Sequence, residues 1–358
     1  MDRTAFIGPF ELASGRVLPD VQVGYVTHGT LAPDGGNAVL VTHGYTSGPS
    51  MLSQAHLTAE GSWAPLLGSG RALDTDRFFI VCSNMLGSSF GTTGPASIDP
   101  ATGRRWGTDF PAITLADIVG VQHRLLKQLG VRHLKAVLGP SYGGWQALQW
   151  ALDHPGMVDA IGVLMSGLTH PPGLSAASAL ARFAQSPQWH EGRYHEYGGM
   201  YETLLQMRMQ TLRSYGLERL YEEHIADPRE RQAALERPAR KWASRFDPMS
   251  MVVLAGAAEH FDVRARINEI GARLLFVVCS TDAIFPPDAQ VRDLLKRTRG
   301  AQRYLELDSP YGHMASGIEW RRLELELQWL LADVTDVAEA NTSPKPHKFP
   351  QERLETNT

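Results

Sequence analysis

Short apolar, β-branched runs recur along the chain: VQVGYV (21–26), AVLVTH (38–43), FFIVCS (78–83), LKAVLG (134–139), VDAIGVLM (158–165) and RLLFVVCS (273–280). Several are continuous rather than alternating, so their side chains need apolar cover on both faces of a sheet. Helix-period stretches lie between them. The clearest is TLADIVGVQHRLLKQLG (114–130), with Thr114 as a candidate N-cap and Gly130 as a stop. Strand alternating with helix predicts an α/β fold with a mostly parallel sheet flanked by helices.

The alternation breaks once. From 171 to 265 the strand signal vanishes and the text turns helical, polar and rich in Met, Arg and Tyr. This reads as an inserted all-helical lid, leaving 1–170 and 266–336 as one discontinuous core. After RLLFVVCS come a helix beyond Pro287, the strand QRYLEL and the amphipathic helix EWRRLELELQWLLADV. The segment 337–358 has little to bury and is expected to be disordered.

A net charge of −4 on 358 residues argues against a nucleic-acid surface or a polybasic membrane patch. No apolar run nears the roughly 18 residues that span a bilayer, and MDRTAFIGPF lacks the layout of a signal peptide. The expectation is a cytoplasmic protein acting on a small molecule. Cys82 and Cys279 end apolar runs and read as small core hydrophobes. No H-E-x-x-H or paired C-x-x-C spacing occurs, so neither a metal nor a bound cofactor is expected.

The pentapeptide G-x-S-x-G occurs twice, as GSSFG (87–91) and GPSYG (139–143). A nucleophilic serine on an elbow needs a strand before it, small residues around it and a helix at once after it. Around Ser141 all three are present: LKAVL leads in, Gly139 and Gly143 relieve crowding, and GWQALQWALDH continues with helical period. Ser89 is followed by GTTGPASIDPATG, where no helix can start.

A serine needs a base to take its proton and an acid to orient the base, and after such an elbow these follow in the order acid, then histidine. Asp282 in STDAIFPPD follows a strand end, and His313 in LDSPYGHMASG follows the next. Asp288, at a helix start, reads as a cap. The oxyanion of acyl transfer needs two N–H donors. One comes from Tyr142, next to the serine, and the other from Tyr45 or Thr46 in the loop AVLVTHGYTSG, with His43 as a structural neighbour.

The stretches NAVLVTHGYTSG, ALDTDRFFIVCSNMLGSSFGTTGP, GPSYGGWQALQWALDHP, RFDPMSMVVLAGAAEHFD and STDAIFPP together resemble the homoserine O-acetyltransferase family of the α/β-hydrolase fold, over about 300 residues. The resemblance implies a Ser141, Asp282, His313 triad, an acyl-serine intermediate and a helical lid that supports a homodimer. It assigns Ser89 to a glycine-rich loop. In MRMQTLRSY it matches Arg208 and Tyr215 to positions that face the substrate, Arg208 to hold a carboxylate. One departure stands out: the family usually reads G-H-D-A-F-L, with an aspartate for the acceptor's ammonium, where this chain reads GHMASG. Met314 offers no such charge. The expected activity is therefore serine-esterase hydrolysis of small acyl esters, acetyl above all. The alternative is transfer of acetyl from acetyl-CoA to homoserine, serine or another small alcohol.

Overall fold

The computed structural model describes residues 3–53 and 62–332, so the tail expected over 337–358 lies outside the described residues. Eight strands form one sheet: β1 (Arg3–Phe6), β2 (Gln22–His28), β3 (Ala38–Val41), β4 (Phe79–Ser83), β5 (Leu134–Pro140), β6 (Ala160–Leu164), β7 (Arg273–Cys279) and β8 (Gln302–Leu307). Their order is β1-β2-β4-β3-β5-β6-β7-β8. The pairs β1/β2 and β2/β4 are antiparallel and all later pairs are parallel.

Every apolar run named from the sequence falls in a strand of this sheet, and β3 and β6 are buried at every position. Neighbouring residues of one strand enter separate cores. Val137, Val81 and Leu274 pack on the face covered by α1 (Leu115–Gln128) and α2 (Tyr142–Asp153). Leu138, Ile80 and Leu275 pack on the other face, against Leu323 and Leu327 of the final helix, Trp320–Leu331. Burying such a side chain fully contributes about 1.5–3 kcal/mol, and in the central strands both faces do so. β1 was not legible: of RTAF only Ala5 is buried, and pairing with β2 rather than apolar patterning places it.

Helix α1 starts where the sequence puts it, with a reciprocal capping box between Thr114 and Asp117. Between β6 and β7 lie α3 (Ala176–Ala184), α4 (Tyr201–Ser214), α5 (Leu217–His224), α6 (Pro228–Ala243) and α7 (Pro248–Ala258). Phe183, Leu205, Leu212, Leu235 and Trp242 form a small core of their own. Helix α7 differs, because its Val253, Leu254 and Ala258 join the main core. Among the described residues, no helix is long and apolar enough to cross a membrane.

His43, just after β3, is fully buried. Its Nδ1 lies 2.9 Å from the Gly44 carbonyl, and its Nε2 accepts the Met85 N–H at 3.3 Å, an arrangement that suits the neutral ring. Burial pushes its pKa from 6.5 down to about 4, against the opposing pull of Gly44 and Asn84. Between those values the unfolded chain binds a proton that the folded one refuses, so stability falls as pH drops from 6.5 toward 4. The loss amounts to about 3 kcal/mol once both states are compared below the folded pKa. Denaturant unfolding at pH 7.5 and 4.5 should show a smaller pH-dependent loss in His43→Gln than in the wild type, and equal losses would refute this assignment.

Candidate active site

Ser141 links β5 to α2 with φ 56° and ψ −125°. A left-handed backbone at a non-glycine residue costs of order 1–3 kcal/mol and persists only where its surroundings enforce it. Here the Ser141 N–H donates to the Leu164 carbonyl at 2.8 Å, and the Ser166 hydroxyl donates to the Ser141 carbonyl at 2.7 Å. The flanking glycines serve close approach. A Cβ on Gly139 would lie 2.1 Å from the Thr42 carbonyl oxygen, and one on Gly143 would lie 2.5 Å from it. The serine therefore stands at the N-terminus of α2, where the helix dipole favours developing negative charge.

Asp282 and His313, the expected acid and base, come from the loops after β7 and β8. Asp282 Oδ1 accepts the backbone N–H groups of Ile284 (2.8 Å) and Phe285 (3.3 Å), and Oδ2 accepts His313 Nδ1–H at 2.8 Å. Both residues are 2% exposed, so bulk water does not compete for this bond. Burial by itself would raise the Asp282 pKa, but the His313 charge, the His313 bond and the two backbone donors together hold it below the ordinary carboxylate value. Gly312, at φ 51°, makes the turn that presents His313, and its N–H donates to Thr281 Oγ1 at 3.1 Å, tying the two loops together. His313 Nε2 is buried with no hydrogen-bond partner among the described residues. It is the ring nitrogen left to accept a proton, and in substrate-free sites the serine–histidine bond often tightens only when substrate arrives.

Among the described residues, no backbone carbonyl takes the N–H of Tyr45 or Thr46. The Tyr45 ring stacks on Tyr142 at 5.9 Å and 13°, and its hydroxyl donates to the Met251 carbonyl. The Tyr142 hydroxyl donates to the Leu254 carbonyl at 3.0 Å. Burial pushes both phenols well above their ordinary pKa, with Tyr215 adding to the effect on Tyr45 and Tyr45 to that on Tyr142, so they remain neutral. The loop is anchored again at Thr46, whose hydroxyl accepts from Arg208 Nη1 and whose carbonyl accepts from Trp242 Nε1, each at 2.9 Å.

A cavity of about 360 Å³ opens at Ser141, lined among others by Tyr45, Trp145, Met207, Tyr215, Ile284 and Phe285. Among the described residues, no Asp or Glu lines it. Of the residues matched to substrate contacts, Tyr215 lies at this cavity, with its ring 4.6 Å from that of His313. Arg208 is buried and stacks over Trp242 at 5.0 Å, and it lines a neighbouring cavity that shares Thr46 with the first. Met314 is fully buried among the apolar side chains of the insertion and does not line the serine cavity. Ser89 Oγ accepts the Asp247 N–H and donates to Ser250 Oγ, both at 2.9 Å, so this serine fastens the start of α7 to its loop. Sequence reasoning missed Trp145, Ile284 and Phe285 as cavity walls. Their spacing was the available signal: one helical turn after Ser141, and directly after Asp282.

A profile of the α/β-hydrolase fold matches residues 37–317. The homoserine O-acetyltransferase of Moorella thermoacetica is 38% identical over 352 residues, covering 90% of this chain and 93% of that protein. The homoserine O-acetyltransferase of Symbiobacterium thermophilum is 35% identical, covering 91% and 92%. Among solved structures, the homoserine O-acetyltransferase of Bacillus anthracis superposes with a TM-score of 0.80 at 25% identity, covering 93% of this chain and 98% of that one. An acetylester hydrolase from Corynebacterium glutamicum shares the fold, with a TM-score of 0.75 at 22% identity and coverage of 92% and 96%. Sequence and fold agree that this chain is an α/β-hydrolase-fold enzyme of the ester-hydrolase and O-acyltransferase kind, and that it belongs to the homoserine O-acetyltransferase family.

Proposed function

We propose that the protein is a serine-dependent O-acetyltransferase that moves acetyl from acetyl-CoA to a small alcohol, homoserine being the acceptor named for its relatives. This reverses the preference drawn from the sequence, where hydrolysis stood first. Relatives at 31–38% identity over most of the chain favour transfer. The observation that carries the chemistry is the buried Asp282–His313 pair with a free Nε2, together with a serine held on a strained elbow at a cavity whose Tyr215 and Phe285 walls also pack on the His313 ring. In the cycle, Ser141 Oγ attacks the thioester carbonyl while His313 takes its proton, and Asp282 holds the imidazole tautomer. The N–H groups of Tyr142 and of Tyr45 or Thr46 stabilise the oxyanion. Coenzyme A leaves as a thiol, and the acceptor hydroxyl, deprotonated by His313, takes the acetyl group. The inserted helices act as the lid, contributing Met207 and Tyr215 to the cavity wall, and a homodimer through them belongs to the same proposal.

Hydrolysis is the second reading, and one observation favours it: with no Asp or Glu among the described residues lining the serine cavity, an ammonium group finds no counter-ion there. An acceptor must also outcompete water at about 55 M, which takes a site of high effective molarity. The two readings separate on a product ratio. With acetyl-CoA and millimolar homoserine, acetylated homoserine should exceed free acetate. Steady release of acetate that homoserine does not alter would instead make the enzyme a hydrolase.

A further inference from the structure

A second cavity, of about 250 Å³, lies beyond the far wall of the serine cavity, and the two share Pro171, Ile284 and Phe285. Its apolar lining includes Phe276 and Val278 of β7 and Val291 and Leu294 of α8 (Ala289–Leu295), while Arg264 and Asp288 also border it. The Phe285 ring forms part of the shared wall. It lies edge-on to Trp145 at 5.7 Å and 5.8 Å from the His313 ring, and a Cβ on Gly167 would come within 3.1 Å of its Cδ1. Its backbone N–H is spent on Asp282. The ring is thus packed between the catalytic loops and the Gly167 backbone.

The serine cavity has a mixed lining, with hydroxyls from Thr46, Ser175, Ser178 and Thr211 and the Arg182 side chain beside apolar groups such as Met207 and Met251. At the wall shared with the second cavity it presents hydrocarbon, from Ile284 and Phe285 of the loop after β7, with Trp145 of α2 packed edge-on to Phe285. An acyl tail, which gains by leaving water, buries favourably against this shared apolar wall. We propose that the second cavity is an acyl-tail subsite held shut by Phe285, with Ile284, and that this wall restricts the enzyme to short acyl groups. The inference rests on the acyl-serine reading of Ser141 and adds to it the residue that limits acyl length.

The test uses p-nitrophenyl acetate, butanoate and hexanoate. In each case Ser141 Oγ bonds to the acyl carbon as nitrophenolate departs, and water then releases the acid. The wild type should prefer acetate. Phe285→Ala should raise the hexanoate-to-acetate ratio of kcat/KM at least about tenfold, in line with what methylenes gain in an opened pocket, whatever happens to the acetate rate itself. Phe285→Leu should move the ratio the same way by a smaller factor, which covers an alanine variant that fails to fold. Val291→Trp added to Phe285→Ala should bring the ratio back toward the wild-type value, because Val291 lines only the second of the two cavities. If Phe285 serves packing alone, all three esters slow together, the ratio stays put and Val291→Trp does nothing to it. That result, or a wild type that takes hexanoate as readily as acetate, overturns the proposal while leaving the acyl-serine intact. Absence of turnover for every ester in the wild type would overturn the acyl-serine reading and the subsite with it.

Discussion

Ser141→Ala is expected to lose turnover of every acetyl donor, by on the order of 10⁴–10⁶-fold in kcat, because no other group stands on the elbow to accept the acyl group. Covalent labelling by a serine-directed phosphonate should disappear with it, as read by intact mass. Ser89→Ala should keep most of both, since the Ser89 hydroxyl is engaged with Asp247 and Ser250 rather than with an imidazole. The strain at φ 56° gives a second readout: Ser141→Gly, which removes the nucleophile and relieves the backbone, should be at least as stable as Ser141→Ala. A label found on Ser89, or one that survives in Ser141→Ala, would overturn the assignment.

Removing the base should be nearly as severe. His313→Ala is expected to lower kcat by about 10⁴-fold or more, and Asp282→Asn by about 10⁴-fold, the size seen where an amide in place of the acid holds the wrong tautomer. In the wild type kcat/KM should fall along a single limb as the solution is acidified, because a protonated imidazole cannot accept the serine proton. The Asp282 carboxyl is held below its ordinary range by His313 and two backbone donors. Whatever activity survives in His313→Ala should lack the limb. Near-normal turnover in that variant would hand the role to a different residue.

What the sequence disclosed, and what it hid, has a physical pattern. The central strands were legible because both faces are buried, which forces uninterrupted apolar text such as AVLV and RLLFVVC. The elbow geometry was legible because strand, small residues and helix follow one another without a gap, and the pairing of Asp282 with His313 because each sits just past a strand end. β1 was hidden because an edge strand with one buried residue carries no pattern. The reach of the site residues was hidden for a different reason. Arg208 and Tyr215 lie seven positions apart on and just beyond α4, yet one lines the neighbouring cavity and the other the serine cavity. Spacing places two residues on one helix face, but it does not say which cavity each one meets; Arg208 is bound to Thr46, which borders both cavities. Met314 adjoins His313 in sequence and is nevertheless turned into the core of the insertion, because side chains next to each other leave a tight turn in different directions.

Thr46 is gripped at its hydroxyl by Arg208 of α4 and at its carbonyl by Trp242 of α6, and its own N–H is one of the two candidates for the second oxyanion donor. If the proposed transfer holds, selectivity and speed share a hinge point in this enzyme. A substitution in these helices that re-aims Arg208 would also let go of Thr46, and with it the loop proposed to carry the oxyanion donor. Laboratory evolution of the acceptor range through these helices should drag kcat along with it, and lineages that recover rate should do so by rebuilding an anchor on Thr46 rather than by changing the triad.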